Sequence, residues 1–302
     1  MSSCYFAIID LGSNSVRMSV NELEKNGNWR VVEKLRSTVR LSEGMSNDNF
    51  LKEEPMARVI ETVKTFCDKA REYRCVSIAA IATAALRNAA NKELFIERVK
   101  RKAGIEFEII SGEDEAYFSY LAVRETIGIK DGVIFDTGGG STEITLVKNS
   151  SIVHSISLPL GAVVMSEKMA HKSNMQLYKY VMSYIGGIDW LDECESLPVY
   201  GIGGSARTMA SLYKKRAVGA DELDGMKIPY GAIAKIYENI YNTAPEKRKG
   251  IKGMDISRAD IILAGVTPAK VLMDMIGSPC AYICASGVKE GVFFRMKEEM
   301  QK

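Results

Sequence analysis

One stretch of the chain occurs twice. Ile8-Ile9-Asp10-Leu11-Gly12-Ser13-Asn14-Ser15-Val16-Arg17-Met18 and Ile134-Phe135-Asp136-Thr137-Gly138-Gly139-Gly140-Ser141-Thr142-Glu143-Ile144 align at a constant offset of 126 residues. Both read apolar-apolar-Asp-x-Gly-x-x-Ser-x-x-apolar. In each copy an apolar run ends at Asp, passes through a glycine-containing turn and resumes as alternating apolar and polar residues. That is the pattern of two strands joined by a tight turn. A further extended segment, then alternating helices and strands, follows each copy in the same order. Such repetition predicts a duplicated α/β domain with mixed sheets.

The repeat places the first domain at residues 1–127 and the second at 128–287, with a last helix over about 288–302 packing back onto the first. Within the first domain, polar Ser46-Asn47-Asp48 introduces a helix expected from about Leu51 to Tyr73. No long Pro-, Ser- or Gly-rich linker separates the halves, which favours a hinged pair with an interdomain cleft. The length of 302 residues supports two cores. With 40 Lys plus Arg against 38 Asp plus Glu, the net charge is only +2. That balance argues against a surface-wide nucleic-acid or membrane binder, so an anionic ligand must be held by local features. Two histidines, His154 and His171, are too few for a His-rich metal centre. The six cysteines are scattered without a C-x-x-C pair, and Met1-Ser2-Ser3 does not resemble a signal peptide. A reducing, cytoplasmic setting is expected, and no run approaches the ~20 apolar residues of a membrane span.

A glycine turn between strands aims several backbone N–H groups at one point and lets an anion approach closely. Gly12, Ser13 and Asn14 in the first copy, and Gly138, Gly139, Gly140 and Ser141 in the second, are therefore candidate phosphate-binding residues. Gly203, Gly204 and Ser205 form a third glycine turn, after a strand and opening a helix, where a further phosphate would meet a helix N-terminus. Read alone, Gly201 to Ala206 is also a G-x-G-x-x-A dinucleotide pattern with Asp221 and Glu222 downstream. That reading leaves the two Asp-x-Gly hairpins unexplained.

Taken together, these stretches resemble the exopolyphosphatase and guanosine-pentaphosphate phosphohydrolase (Ppx/GppA) family, within the larger actin, sugar-kinase and Hsp70-like fold. The other carriers are Ala82-Thr83-Ala84-Ala85-Leu86-Arg87, Ile110-Ser111-Gly112-Glu113-Asp114-Glu115-Ala116, Leu158-Pro159-Leu160-Gly161-Ala162, Ser257-Arg258-Ala259-Asp260 and Ser286-Gly287-Val288-Lys289-Glu290-Gly291. The resemblance implies duplicated actin-like domains and hydrolysis of a terminal phosphoanhydride, with Mg²⁺ or another divalent cation. Inorganic polyphosphate is the leading substrate and guanosine pentaphosphate (pppGpp) the alternative. Less favoured alternatives are an ATPase or kinase, and a sensor without turnover. By the same resemblance, Glu115 is the catalytic base and Glu143 the second essential carboxylate. Asp10, Asp136 and Glu143 make the metal site, and Arg87 binds phosphate. Family habit implies a homodimer and the short, two-domain form. Lys289 stands where the family usually has Arg, which puts a binding role there in doubt.

The residues carry some of this chemistry unaided. Glu115 falls in the first turn of a helix, where Glu113, Asp114 and Glu115 read equally well as acids matched to the helix dipole. Arg17 occupies the place in the first hairpin that Glu143 occupies in the second; a division of anion binding from metal binding between the copies is one reading, and ordinary solvent-facing strand residues are the other. Lys247-Arg248-Lys249 lies in a loop and reads first as solvated, with extension of a polyanion track as the alternative.

Overall fold

The computed structural model describes residues 4–24, 29–45 and 48–300; Ser46 and Asn47, and the last two residues of the expected terminal helix, lie outside them. Two compact units emerge, Met1–Ser111 and Gly112–Lys302.

In unit 1 the order is β1 (Cys4–Leu11), β2 (Ser15–Leu23), β3 (Trp29–Thr38), α1 (Glu53–Glu72), β4 (Ser77–Ala82), α2 (Ala84–Arg87), α3 (Lys92–Ala103) and β5 (Glu108–Ile109). The sheet runs β3-β2-β1-β4-β5, with β1 antiparallel to β2 and parallel to β4. Alternation decides which residues face this core: Ala7, Ile9 and Leu11 of β1 and Val16, Met18 and Val20 of β2 share it with Val59, Val63 and Phe66 of α1 and Phe95 of α3. The first helix begins at Glu53, two residues later than the pattern predicts.

Unit 2 contains α4 (Gly112–Thr126), β6 (Gly132–Thr137), β7 (Thr142–Lys148), β8 (Ser151–Leu158), α5 (Ala162–Lys168), α6 (Asn174–Ile185), β9 (Val199–Ile202), α7 (Gly203–Lys214), α8 (Ala220–Leu223), β10 (Met226–Pro229), α9 (Tyr230–Asn242), α10 (Ile262–Ile276), β11 (Cys280–Ile283) and α11 (Val288–Met300). Its sheet runs β10-β11-β9-β6-β7-β8. Without the edge strand β10, this repeats the order of unit 1 strand for strand. β6 is buried along its whole length, because α7 and α10 pack on it from within the unit.

The compact units divide at Ser111/Gly112, whereas the repeat pattern places the boundary at 127/128. The helix α4 accounts for the difference. It packs on β7, β8 and α11, and its approach is close enough that a Cβ on Gly291 of α11 would lie 2.0 Å from the Phe118 carbonyl oxygen. Both helices, α4 and α11, lie in unit 2. Among the described residues no helix is long and apolar enough to cross a membrane.

Candidate active site

The turn joining β1 to β2 and the turn joining β6 to β7 close with the same bond. Gly12 N–H donates to the Ser15 carbonyl at 3.0 Å, and Gly138 N–H to the Ser141 carbonyl at 2.9 Å. Carbonyls of both turns are taken by later chain: Asn14 O accepts from Val39 and Arg40 N–H at 3.0 Å each, while Gly138 O and Gly139 O accept from Ala162 and Val163 at 2.9 and 3.0 Å. The N–H groups of Ser13, Asn14, Gly139 and Gly140 donate to no carbonyl among the described residues. A turn with engaged carbonyls and unspent amides is an anion-binding concavity.

Unit 2 carries the carboxylates to which the sequence reading gives a catalytic role. Asp136 and Glu143 are cross-strand partners on β6 and β7, so their side chains share one face of the sheet. Ser157 is the partner of Glu143 on β8 and donates its hydroxyl to Glu143 Oε1 at 2.7 Å. The start of α4 lies against the same serine. A Cβ at Gly112 would come within 2.5 Å of Ser157 Cβ, so glycine is what lets the helix settle there. Glu115 follows in the first turn of α4, and both Glu115 and Glu143 are buried, at 6% and 2% exposure. Burying carboxylates is unfavourable without compensation, which marks this cluster as more than a solvated helix start.

The third glycine turn joins the same cluster. Gly203 has φ +80°, and a Cβ there would sit 2.2 Å from Asp136 Oδ1; the carboxylate of Asp136 therefore rests against the first residue of α7. Arg258, in the 3₁₀ turn Ile256–Arg258 and itself buried, donates Nη2 to Ser205 Oγ at 3.0 Å. Gly204 gives its guanidinium room, since a Cβ would approach Nη1 to 2.4 Å.

In unit 1, Asp10 and Arg17 are cross-strand partners on the first hairpin. Asn14 is buried, yet among the described residues neither its amide nitrogen nor its amide oxygen has a hydrogen-bond partner, and the buried Nε of Arg17 has none there either. The Thr83 N–H bonds the Leu11 carbonyl at 3.2 Å, tying the start of α2 to this hairpin, and Arg87 closes α2 with Nη1 donating to the Ile110 carbonyl at 2.9 Å. The structure thus gathers Asp10, Gly12, Ser13, Asn14, Arg17 and Arg87 in unit 1. It gathers Glu115, Asp136, Gly138, Gly139, Gly140, Ser141, Glu143, Gly203, Gly204 and Ser205 in unit 2.

Among the described residues no three His, Cys, Asp or Glu side chains come together as a ligand cage. Two cross-strand carboxylates, Asp136 and Glu143, instead fit Mg²⁺, which keeps several waters and takes one or two protein carboxylates beside substrate phosphates.

Two residues of the site escape a reading of the sequence. Ser157 becomes visible only through the β7/β8 register, and Arg258 lies in a motif to which the sequence alone attaches no role. Lys289 is accounted for differently: its buried ammonium donates to Glu290 Oε1 at 2.6 Å, while Glu290 Oε2 accepts from Gly287 N–H at 3.0 Å. Its charge is committed within the chain.

Known proteins resemble this chain. The bifunctional 3-dehydroquinate synthase/phosphatase of Fusobacterium nucleatum is 31% identical over 293 residues, an alignment covering 90% of this chain and 43% of that protein. The chain therefore spans less than half the length of that relative. Exopolyphosphatase 1 of Mycobacterium bovis is 26% identical over 303 residues, covering 95% of this chain and 87% of the relative. The crystal structure of the Aquifex aeolicus member of the Ppx/GppA family superposes with a TM-score of 0.82 at 25% identity, covering 99% of both chains. The duplicated actin-like α/β fold expected from the sequence is the one adopted. Residues 20–300 match the sequence model of the Ppx/GppA phosphatase family, and the chain belongs to that family.

Proposed function

We propose that this protein is an exopolyphosphatase, releasing orthophosphate from the ends of inorganic polyphosphate with the help of a divalent cation, Mg²⁺. The observation that carries this reading is the repeated hairpin, whose unspent amides at Ser13, Asn14, Gly139 and Gly140 match the oxygens of phosphoryl groups. The exopolyphosphatase named among the relatives supports the choice of substrate.

Phosphoanhydride hydrolysis needs neutralised phosphoryl oxygens, a positioned water and a group to receive its proton. Glu115 orients the water and takes the proton as the water oxygen bonds to the terminal phosphorus. The bridging P–O bond then breaks, and the shortened chain leaves with the electron pair. Arg17, Arg87 and the hairpin amides hold phosphate oxygens, and the third turn at Gly203, Gly204 and Ser205, braced by Arg258, supplies a further anion-binding helix start. Asp136 and Glu143 of unit 2 would hold Mg²⁺. The cation supplies charge neutralisation at the reacting phosphoryl group.

The test is phosphate release from long-chain polyphosphate, pppGpp and ATP in separate incubations with Mg²⁺, with Glu115→Gln as control. The expected result is release from polyphosphate, lowered about 10²-fold or more in the variant with unchanged unfolding behaviour. Release from pppGpp alone reassigns the substrate. Equal release by Glu115→Gln rejects the assignment of the base.

A further inference from the structure

Pro245–Gly250 forms a 3₁₀ turn in which Lys247 and Lys249 are exposed and Arg248 is buried to 4% exposure. The sequence reads these three residues as one solvated loop, so the burial of the middle cation is a departure that asks for a reason. Arg248 donates Nε to the Thr243 carbonyl at 3.1 Å. Among the described residues its guanidinium forms no ion pair, and no other hydrogen bond satisfies it. It lines a cavity of about 200 Å³ between α5, α6 and the start of α10. A buried guanidinium without a carboxylate is unfavourable in the free protein, and burial pushes its pKa down, with Glu246 opposing.

The other polar groups on the wall define what is missing. Ser166 Oγ donates to the Ala162 carbonyl at 2.7 Å, which spends its hydroxyl, and Asn174 Nδ2 donates one of its two hydrogens to the Tyr241 carbonyl at 2.7 Å. The donors left over are the second amide hydrogen of Asn174, the hydroxyl of Ser173, whose oxygen accepts from Gln176 N–H, and the two cationic ones, the terminal nitrogens of Arg248 and the ammonium of exposed Lys172. Asp260 is the one acid on the wall, leaving two basic groups against one carboxylate. The remaining lining, including Met165, Leu177 and Leu263, is apolar and keeps the local dielectric low. Planar, unspent guanidinium nitrogens are suited to bidentate contact with an oxyanion.

We propose that the Arg248 pocket is a second oxyanion site of unit 2, taking a phosphate group. It is distinct from the hairpin turn: Ser166 lies about 6 Å along α5 from Ala162, the residue that bonds the turn. The phosphate is either free orthophosphate or one unit of a polyphosphate chain. The proposal does not depend on the catalytic role of Glu115.

Titration calorimetry of the whole chain with inorganic phosphate tests it, comparing wild type with Arg248→Gln, Arg248→Lys and Lys172→Gln. One equivalent of bound phosphate is expected to weaken about 10-fold or more in Arg248→Gln and about 3-fold in Lys172→Gln, with Arg248→Lys between wild type and Arg248→Gln because it keeps the charge and loses the bidentate fork. Lys172 is exposed, so its variant reports even where a change at Arg248 disturbs folding. Tripolyphosphate titrated into Glu115→Gln separates the two sources: tighter binding than orthophosphate that is lost with Arg248→Gln identifies a chain unit, and equal binding identifies the free anion. An unchanged phosphate isotherm in both Arg248→Gln and Lys172→Gln overturns the proposal, as does acetate binding the pocket equally well.

Discussion

Ser157 holds Glu143 with a hydrogen bond of 2.7 Å and at the same time provides the surface on which Gly112 seats α4. One side chain on β8 therefore orients the carboxylate of β7 and sets the depth of the helix that carries Glu115. Ser157→Ala removes the bond and leaves a buried carboxylate oxygen short of a donor, worth about 1.5–3 kcal/mol where the acceptor is charged. The expected result is a kcat for phosphate release reduced about 10- to 100-fold. Steady-state release at saturating polyphosphate checks it, and an unchanged kcat means that Glu143 does not need the serine.

Gly112→Ala acts on the same contact from the other side. The added methyl meets Ser157 Cβ at 2.5 Å, so α4 must shift, at a cost of about 1–3 kcal/mol for overpacking. Because Glu115 moves with the helix, kcat is expected to fall even at temperatures where the variant is fully folded. Urea unfolding measured alongside the assay separates the two effects; loss of stability with full activity would show that Glu115 tolerates the displacement.

Asn14 offers the reverse combination. Its buried amide has no partner at either atom among the described residues, and an unsatisfied buried polar group costs about 1–3 kcal/mol. Asn14→Ala is therefore expected to leave unfolding free energy unchanged or raise it, while raising KM for polyphosphate about tenfold. A fall in stability with an unaltered KM would place Asn14 among ordinary turn residues.

The hairpins were legible because the repeat itself announces them. Asp10 and Arg17, like Asp136 and Glu143, occupy equivalent register positions, and a strand-turn-strand pattern fixes those without knowledge of the rest of the chain. Ser157 was not legible, because the β7/β8 register shifts at a bulge between Leu146 and Val147, and counting back through the turn gives the wrong face. Strand β10 was missed since Met226-Lys227-Ile228-Pro229 is four residues long with a single fully buried position, Ile228, too little for a period to show. The place of α4 depended on a close approach at Gly112 and Gly291, which a sequence records only as two more glycines. Arg248 sits between two exposed lysines and is distinguished from them only by tertiary packing.

Gly203→Ala tests the third turn. The residue combines φ +80° with an Asp136 oxygen 2.2 Å from the position of any Cβ. The left-handed backbone alone costs a non-glycine residue about 1–2 kcal/mol, and the clash adds to it, so a loss of at least about 2 kcal/mol is expected, together with a raised Mg²⁺ requirement as Asp136 is displaced. Gly231→Ala is the control. It lies in the exposed first turn of α9 with nothing near a Cβ, and alanine there is expected to stabilise by up to about 1 kcal/mol. Equal effects of the two substitutions would remove the special role assigned to Gly203.

Lys289 and Glu290 make a pH-dependent contribution whose sign follows from their contacts. Burial pushes the Glu290 carboxyl up, but the Lys289 ammonium, its hydrogen bond, the Gly287 N–H and the charge of Arg207 together outweigh it, so the folded pKa lies below the ordinary 4.5. A group with a depressed folded pKa stabilises the protein fully above its unfolded value and loses that contribution as pH falls through the folded one. Glu290→Gln is therefore expected to be less stable than wild type at pH 7, with the gap narrowing once pH drops below about 4.5 and the unfolded chain begins to take up the proton. Lys289→Met leaves burial without its largest opponent, so the folded pKa rises and acid destabilisation begins at a higher pH than in wild type. Urea unfolding at a series of pH values from 7 to 3 reads both effects. A gap between wild type and Glu290→Gln that is the same at both ends of the series would mean that the carboxylate is not held by its cationic neighbours.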